Sequence, residues 1–199
     1  MDTFSEDLCC EITQSIIASD NCEKLPGGID NVRIACLKYF ESYTEIACSA
    51  AANPGTISAI VATDPVAGTP VVPFYNIGIK RKTGEHIFGL SYDRETDTVT
   101  RTGTVNFEIT AFDDQTLCAI DEYIGQEVVL AFQYRGSERW YLEGWKGGLY
   151  VQNIEGGSGL DSARNTNFVI TGDDLEALFV RFFDTDDATT TTAIEALTN

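Results

Sequence analysis

Two stretches decide the fold class: Val105-Asn106-Phe107-Glu108-Ile109-Thr110-Ala111-Phe112 and Glu127-Val128-Val129-Leu130-Ala131-Phe132-Gln133-Tyr134. In the first, Val105, Phe107, Ile109 and Ala111 fall on one side, and Asn106, Glu108 and Thr110 on the other. That period of two marks a strand with one wet face, running from Thr98 to Phe112. The second is apolar on both faces, Val128, Leu130 and Phe132 alternating with Val129 and Ala131, which predicts a central strand covered on both sides. Between them Asp113 and Asp114 cap a short helix reaching Ile124, with Leu117, Ile120 and Ile124 as its apolar stripe and Gly125 as its stop. Strands at Arg139 to Trp145 and Gly148 to Ile154 follow, joined by the turn Lys146-Gly147, so Asp97 to Ile154 is the organising unit.

Toward the N-terminus, Val32, Ile34 and Cys36 interleave with Arg33 and Lys38 in a half-buried strand over Asn31 to Phe40. Ile57 to Ala62 and Val71 to Ile79 are further strands, separated by Thr63-Asp64-Pro65-Val66-Ala67-Gly68-Thr69-Pro70, whose prolines and glycine break a ladder. That segment is either a mobile surface loop or an arm touching a neighbouring subunit. Lys80-Arg81-Lys82 is the one basic cluster, a turn leading into a strand at His86 to Tyr92, read as solvated or as meeting an acidic end of another copy. Toward the C-terminus, a glycine loop at Gly156-Gly157-Ser158-Gly159 precedes strands at Asn167 to Thr171 and Leu178 to Phe183. Leu8, Ile12 and Ile16 give Ser5 to Ala18 helical spacing, and Leu25-Pro26-Gly27-Gly28 turns that arm into the body. The expected organisation is an N-terminal helical arm over 1–24, a mainly β domain over 25–183, and an acidic, Thr-rich, weakly ordered tail over 184–199. Ile194 and Leu197 in that tail are read as able to dock on a partner.

The chain of 199 residues carries a net charge of −18 and is 43% hydrophobic, with no apolar run near the ~18 residues of a membrane span. The acidic excess sits mostly at the two ends. It opposes binding to phosphate backbones, which needs clustered Lys and Arg, and favours solubility. Met1 to Asp7 lacks a basic and an apolar region, so no secretory signal is expected and synthesis in the cytoplasm is the default. Cys9, Cys10, Cys22, Cys36, Cys48 and Cys118 show no C-x-x-C spacing, so reduced thiols are expected, with a later bridge among Cys9, Cys10 and Cys22 as the alternative.

Catalytic chemistry is sought and not found. His86 is the single histidine and falls on a strand, where a structural role is expected. The glycine loop has Leu160 where G-x-S-x-G needs a glycine, and polar residues where a dinucleotide loop opens a helix. Asp184, Asp186 and Asp187 lack the glycine and distal glutamate of an EF-hand. The expectation is a non-enzyme with no metal and no cofactor.

Certain motifs go further. Leu25-Pro26-Gly27-Gly28-Ile29 leads into Val32-Arg33-Ile34, and the strand–helix–strand runs from Val105 to Tyr134. Trp140-Tyr141-Leu142-Glu143-Gly144-Trp145-Lys146-Gly147-Gly148-Leu149 is followed by Gly157-Ser158-Gly159 and Phe168-Val169-Ile170-Thr171-Gly172. Over roughly Leu25 to Phe183 this pattern resembles tail-tube proteins of bacterial viruses, especially long-tailed viruses of Bacteroidetes-type hosts. The segment from Asp184 onward has no match in it.

The resemblance implies a β-sandwich or barrel-like fold of two packed antiparallel sheets flanked by a helix, in homohexameric rings that stack around a channel. It implies a virion location in the tail, assembly in the host cytoplasm, and partners that are other copies, a tape measure, a tail terminator and a hub or baseplate. DNA passes in transit, and acidic walls that repel phosphate suit that passage. On this basis Thr63, Asp64, Pro65, Val66, Ala67, Gly68, Thr69 and Pro70 are the ring-stacking loop candidate, and Asn106, Glu108 and Thr110 the lumen-facing candidates. Trp140, Tyr141, Trp145 and Tyr150 are candidates for core and interface packing. Two other classes stay open: a carbohydrate- or receptor-binding sandwich using Trp140, Tyr141 and Trp145, and a small enzyme using clustered carboxylates. Another tail or neck ring is the alternative nearest to the tube.

Overall fold

The computed structural model describes residues 28–47, 50, 53, 55–80, 82–109, 121–157, 165–173 and 175–198. The arm over Ser5 to Ala18, the caps Asp113 and Asp114, Thr110 and the loop at Ser158-Gly159 lie outside these residues. Of the helix expected to reach Ile124, residues 121–123 are described and helical, and Gly125 follows with φ +75°.

The chain is mainly β. In order it forms β1 (Ile29–Cys36), a 3-10 turn (Leu37–Tyr39), β2 (Phe40–Glu45), β3 (Ile57–Ala62), β4 (Tyr75–Ile77), β5 (Glu85–Asp93) and β6 (Thr98–Ile109). Then come β7 (Glu127–Tyr134), β8 (Trp140–Glu143), β9 (Leu149–Gly157), β10 (Asn165–Gly172), β11 (Val180–Phe182) and a helix, α1 (Asp187–Ala196).

All 11 strands belong to one hydrogen-bonded sheet, where two separate packed sheets are expected. The reason lies in β7. One edge of β7 pairs with β1 from Ile29↔Tyr134 to Cys36↔Val128. The other edge is shared. β8 takes its C-terminal half (Leu130↔Glu143 to Gln133↔Trp140), and β9 takes its start (Glu127↔Tyr150, Val128↔Leu149). The sheet therefore forks at β7 into a β8-β11-β3-β2 branch and a β9-β10-β6-β5 branch. Between named strands the pairing is antiparallel except at β11–β3, which join in parallel through Phe182↔Ile57.

Each branch covers one face of β7, as its two-sided apolar sequence requires. Val128, Leu130 and Phe132 pack with Val105, Phe107, Leu149, Phe168 and Ile170 from the β9-β10-β6 side. Val129 and Ala131 pack with Trp140, Leu142, Ile57, Phe182 and Ile194 on the other. The first branch curls until its end returns to β1: Ile29 donates its N–H to the Gly84 carbonyl at 3.1 Å, and Lys80 donates its N–H to that of Glu108 at 2.6 Å. The result is a barrel-like core between β1, β7 and the curled branch.

The C-terminal segment differs from its expectation. Residues 187–196 form a helix docked on the second core, with Ile194 and Thr190 buried, where composition pointed to weak order and to docking on a partner. Asp186 is the N-cap: its carboxylate accepts from the Thr189 N–H, and the Thr189 hydroxyl accepts from the Asp186 N–H. Four threonines favour strand over helix. Here the cap and the burial of Ile194 overrule that preference.

The crossing from β8 to β9 places one strict demand on sequence. Gly144 has φ +74°, and a Cβ there would stand 2.7 Å from the Val128 carbonyl oxygen and 2.8 Å from Leu149. Left-handed backbone alone costs a residue with a Cβ about 1 kcal/mol, and the contact with β7 adds to it. Gly144→Ala is expected to lower stability by roughly 2 kcal/mol or more in urea unfolding. Gly125→Ala, with φ +75° and open space at its Cβ, is expected to lose only about 1 kcal/mol.

Candidate functional site: an uncovered hairpin, a folded projection and a buried histidine

The alternation of β6 matches its sequence pattern: Val105, Phe107 and Ile109 are buried, and Asn106 and Glu108 are half-buried on the opposite side. β5 pairs with β6 from Glu85↔Asn106 to Asp93↔Thr98, so residues directly opposite share a face. The core face of this hairpin runs His86 with Val105, Phe88 with Gly103, Leu90 with Arg101 and Tyr92 with Val99. Its inner end is core. Its outer end is bare: Leu90 is 62% exposed, Tyr92 58% and Val99 42%. A face that begins as core thus continues past the body through exposed Phe88, Leu90, Tyr92 and Val99, with Arg101 among them. β5 also ends the sheet path, so its outer edge lacks a strand partner among the described residues beyond the Gly84 bridge.

His86 holds the inner end of this hairpin. Its Nδ1 lies 2.6 Å from the Tyr134 hydroxyl on β7. Its Nε2 lies 3.0 Å from Glu143 Oε2 on β8, aligned short of a full hydrogen bond, and both side chains are wholly buried. Phe132 and Phe179 close around the ring, with centroids 4.8 and 4.9 Å away. Gly103 on β6 makes the room, since a Cβ there would collide with the Glu143 carboxylate. Burial first, then the Glu143 and Tyr141 charges, push the Tyr134 phenol up to about 12. His86, for which the sequence suggests a structural role, joins β5 to β7 and β8 through these contacts.

The segment Thr63 to Pro70 is folded. The Asp64 carboxylate accepts from the N–H groups of Val66 (2.7 Å) and Ala67 (3.2 Å), which hold it below the usual carboxylate range. Thr63 and Pro70 form a bridge, and the Thr63 hydroxyl donates to Glu41. The turn presents Val66 at its tip, 95% exposed, while Pro65, Ala67 and Gly68 are also in solvent.

Of the other candidates, Asn106 and Glu108 share an outer face with Glu85, Asn167, Val169, Asn153 and Glu155. Glu108 is not a bare charge: Lys80 Nζ sits 2.8 Å from its carboxylate. Lys80 of the basic turn therefore folds onto its own β6. Trp140 and Trp145 are buried within the chain, where Trp140 Nε1 donates to Thr191 and Trp145 Nε1 to the Leu178 carbonyl. Tyr141 is half-buried, and Tyr150 is exposed with its hydroxyl on Glu127. With both indoles spent inside the core, the aromatic platform needed for sugar binding is missing there. Cys36 is a free thiol, and burial pushes its pKa up. No group of three or more metal-ligating side chains occurs among the described residues, and no described helix is long and apolar enough to cross a membrane.

Sequence reasoning placed the β5 strand but missed its uncovered end, because exposure of Leu90 and Tyr92 depends on where the neighbouring branch stops. The Tyr134–His86–Glu143 chain carried no local signal, since its members come from three strands.

No protein-family model matches this chain, and no curated protein matches it. Among solved structures, the SPP1 tail tube, determined by solid-state NMR and cryo-electron microscopy, is similar at a TM-score of 0.35 and 13% identity. The match covers 80% of this chain and 82% of that one. A likeness this slight carries no argument about what the chain does.

The raised Tyr134 value has a consequence with a definite sign. A folded phenol with a pKa above its unfolded value contributes stability that is fully present below pH ~10 and lost as pH rises toward the folded value. Burial raises Tyr43 and Tyr123 as well, in the same direction. Unfolding free energy is expected to fall between pH 10 and 12, and less steeply in Tyr134→Phe; equal slopes for the two proteins would contradict this.

Proposed function

We propose that the chain is a virion structural protein that self-assembles into hexameric rings, stacked as the tail tube of a long-tailed virus of a Bacteroidetes-type host, around an acidic-lined channel for DNA. The observation that carries the reading is the hairpin whose core-type face continues uncovered at Leu90, Tyr92 and Val99 on an open sheet edge. Bare apolar surface on an unpaired edge strand is a pairing template that soluble monomers avoid. The main strand path ends in two different strands, β5 and β2, with β4, paired to β1 alone, as a further edge. Joining two unlike edges from copy to copy is a head-to-tail interface, the kind that closes into rings.

Three further features support the same reading. The folded Thr63–Pro70 turn with Val66 at its tip suits a contact between stacked rings. The outer face bearing Glu85, Glu155 and Asn106 suits a wall that does not retain phosphate, although Lys80 offsets Glu108 within it. The sequence pattern of Leu25 to Phe183 resembles tail-tube proteins. On this reading the partners are other copies, a tape measure, a terminator and a hub or baseplate, and the chain does no catalysis. The folded α1 lies outside the stretch that carries the resemblance, and it favours a neck or other tail ring as the second reading.

Sedimentation and negative-stain microscopy of the purified protein test the proposal. Rings or stacked tubes are expected at high concentration. Leu90→Lys is expected to leave a folded monomer that does not assemble, because the charge sits on the bare face. A wild-type protein that stays monomeric at all concentrations overturns the reading. Replacing Thr63 to Pro70 with a short Gly-Ser link is expected to give rings that fail to stack; tubes of unchanged length would remove this turn from stacking.

A further inference from the structure

We propose that α1 is a latch on the 63–73 projection: docked, it holds the projection's stem in place, and lifted, it frees the projection while the rest of the sheet stays folded.

The argument begins with how α1 is attached. Its sequence prefers strand, and Thr190, Thr191 and Thr192 return their hydroxyls to backbone carbonyls four residues back, a weak substitute for packing. Of its ten residues, Thr190 and Ile194 are buried. Ala193 and Leu197 pack partly against the same core, and the rest of the hold is a set of single polar contacts. Trp140 Nε1 donates to the Thr191 hydroxyl at 3.3 Å, Arg181 Nη2 to Asp187 at 2.8 Å, and Arg33 Nη1 to the Thr198 hydroxyl at 2.7 Å. An element with little apolar burial and point-like polar contacts belongs to the low-stability end of a fold.

The chain on either side of α1 grips both stems of the projection. On the entry side, β11 precedes the helix and meets β3, the strand that leads out to Thr63, through Phe182↔Ile57 and the Phe183 N–H on the Ile57 carbonyl at 2.8 Å. On the return side, the Leu197 carbonyl accepts the Phe74 N–H at 2.9 Å, and Thr198 bridges Phe74. Phe74 is the first residue after the projection and is fully buried. Arg33, which binds Thr198, lies opposite Asn76 of β4 and stacks 4.6 Å over the Trp140 ring. Lifting α1 therefore removes the return-side anchor and strains the entry side at its single strand pair. None of these contacts is a backbone bond of the β7 ladders, although Arg33 and Trp140 lie opposite Ala131 and Gln133 in them and Ile194 shares a core with Val129 and Ala131. The ladders therefore keep their own backbone pairing when α1 lifts. The inference holds whatever the projection touches, so it stands apart from the tail-tube reading.

Amide exchange followed by NMR tests the latch in three proteins: wild type, Asp186→Ala and Asp186→Asn. Asp186→Ala removes the cap, and Asp186→Asn keeps one. Two amides report on the stem. The Phe74 N–H is held by the carbonyl of Leu197, the C-cap of α1. The Val71 N–H is held by the Ala62 carbonyl at 3.2 Å, inside the projection's own stem. Asp186→Ala is expected to speed exchange in α1, Phe74 and Val71 together, by about tenfold, with Val129 to Phe132 of β7 unchanged. Asp186→Asn is expected to stay near wild type at all of them. The latch is overturned by α1 speeding while Val71 keeps its wild-type rate, by all segments including β7 speeding equally, or by no change in α1.

Discussion

The structure depends on β7 being apolar on both faces while sharing one edge between two strands. Glu127–Tyr134 gives the outward-pairing half of its backbone to β9 at Val128 and to β8 from Leu130 onward. A strand can serve two partners along one edge only if the sheet divides there. Once it divides, each branch has a face of β7 to cover. Val128, Leu130 and Phe132 belong to one core, Val129 and Ala131 to the other. Burial of Val128, Val129, Leu130 and Phe132 is worth about 1.5–3 kcal/mol each, so the two-sided strand ties both branches to one backbone. The crossing at Gly144 follows from the same demand, because the chain leaves β8 and returns as β9 against the β7 backbone.

The buried Glu143 and His86 sit at this division. A polar group removed from water is costly unless it finds a partner, and losing one member of such a contact leaves the other unsatisfied. The pair ties β5 of one branch to β8 of the other, and Tyr134 of β7 holds the other ring nitrogen of His86. It therefore fixes where the β5–β6 hairpin leaves the body. The length of hairpin beyond that point is what stands uncovered, so a polar contact deep in the core sets the extent of the apolar surface outside.

Much of this was legible in the sequence, and the reasons are particular. The Ile57–Ala62 and Glu127–Tyr134 strands appear with the ends expected, because a β-branched run between turn residues and a two-sided apolar run are unambiguous patterns. β6 alternates as its sequence alternates. The strand expected over Asn31 to Phe40 instead ends at Cys36 in a 3-10 turn, and β2 carries no signal of its own, because Phe40–Glu45 is mostly exposed and has little periodicity. α1 was read as a tail since four threonines argue against a helix in isolation, and only its cap and the docking of Ile194 decide otherwise. The aromatic cluster at Trp140 to Tyr150 was seen, but the division into buried indoles and an exposed Tyr150 depends on α1 and on the Leu178 carbonyl. At the site, the Asp64-Pro65 turn was visible as a turn. The uncovered end of β5 was not, since exposure is a property of the neighbours a strand lacks.

On the proposed reading the bare β5 edge is filled by another copy of the chain. A cryo-electron microscopy map of the assembled particle is then expected to show a strand of the adjacent subunit hydrogen-bonded along Glu85–Asp93, with Leu90 and Tyr92 buried across that boundary. A particle in which β5 faces solvent, with Leu90 and Tyr92 still exposed, contradicts it.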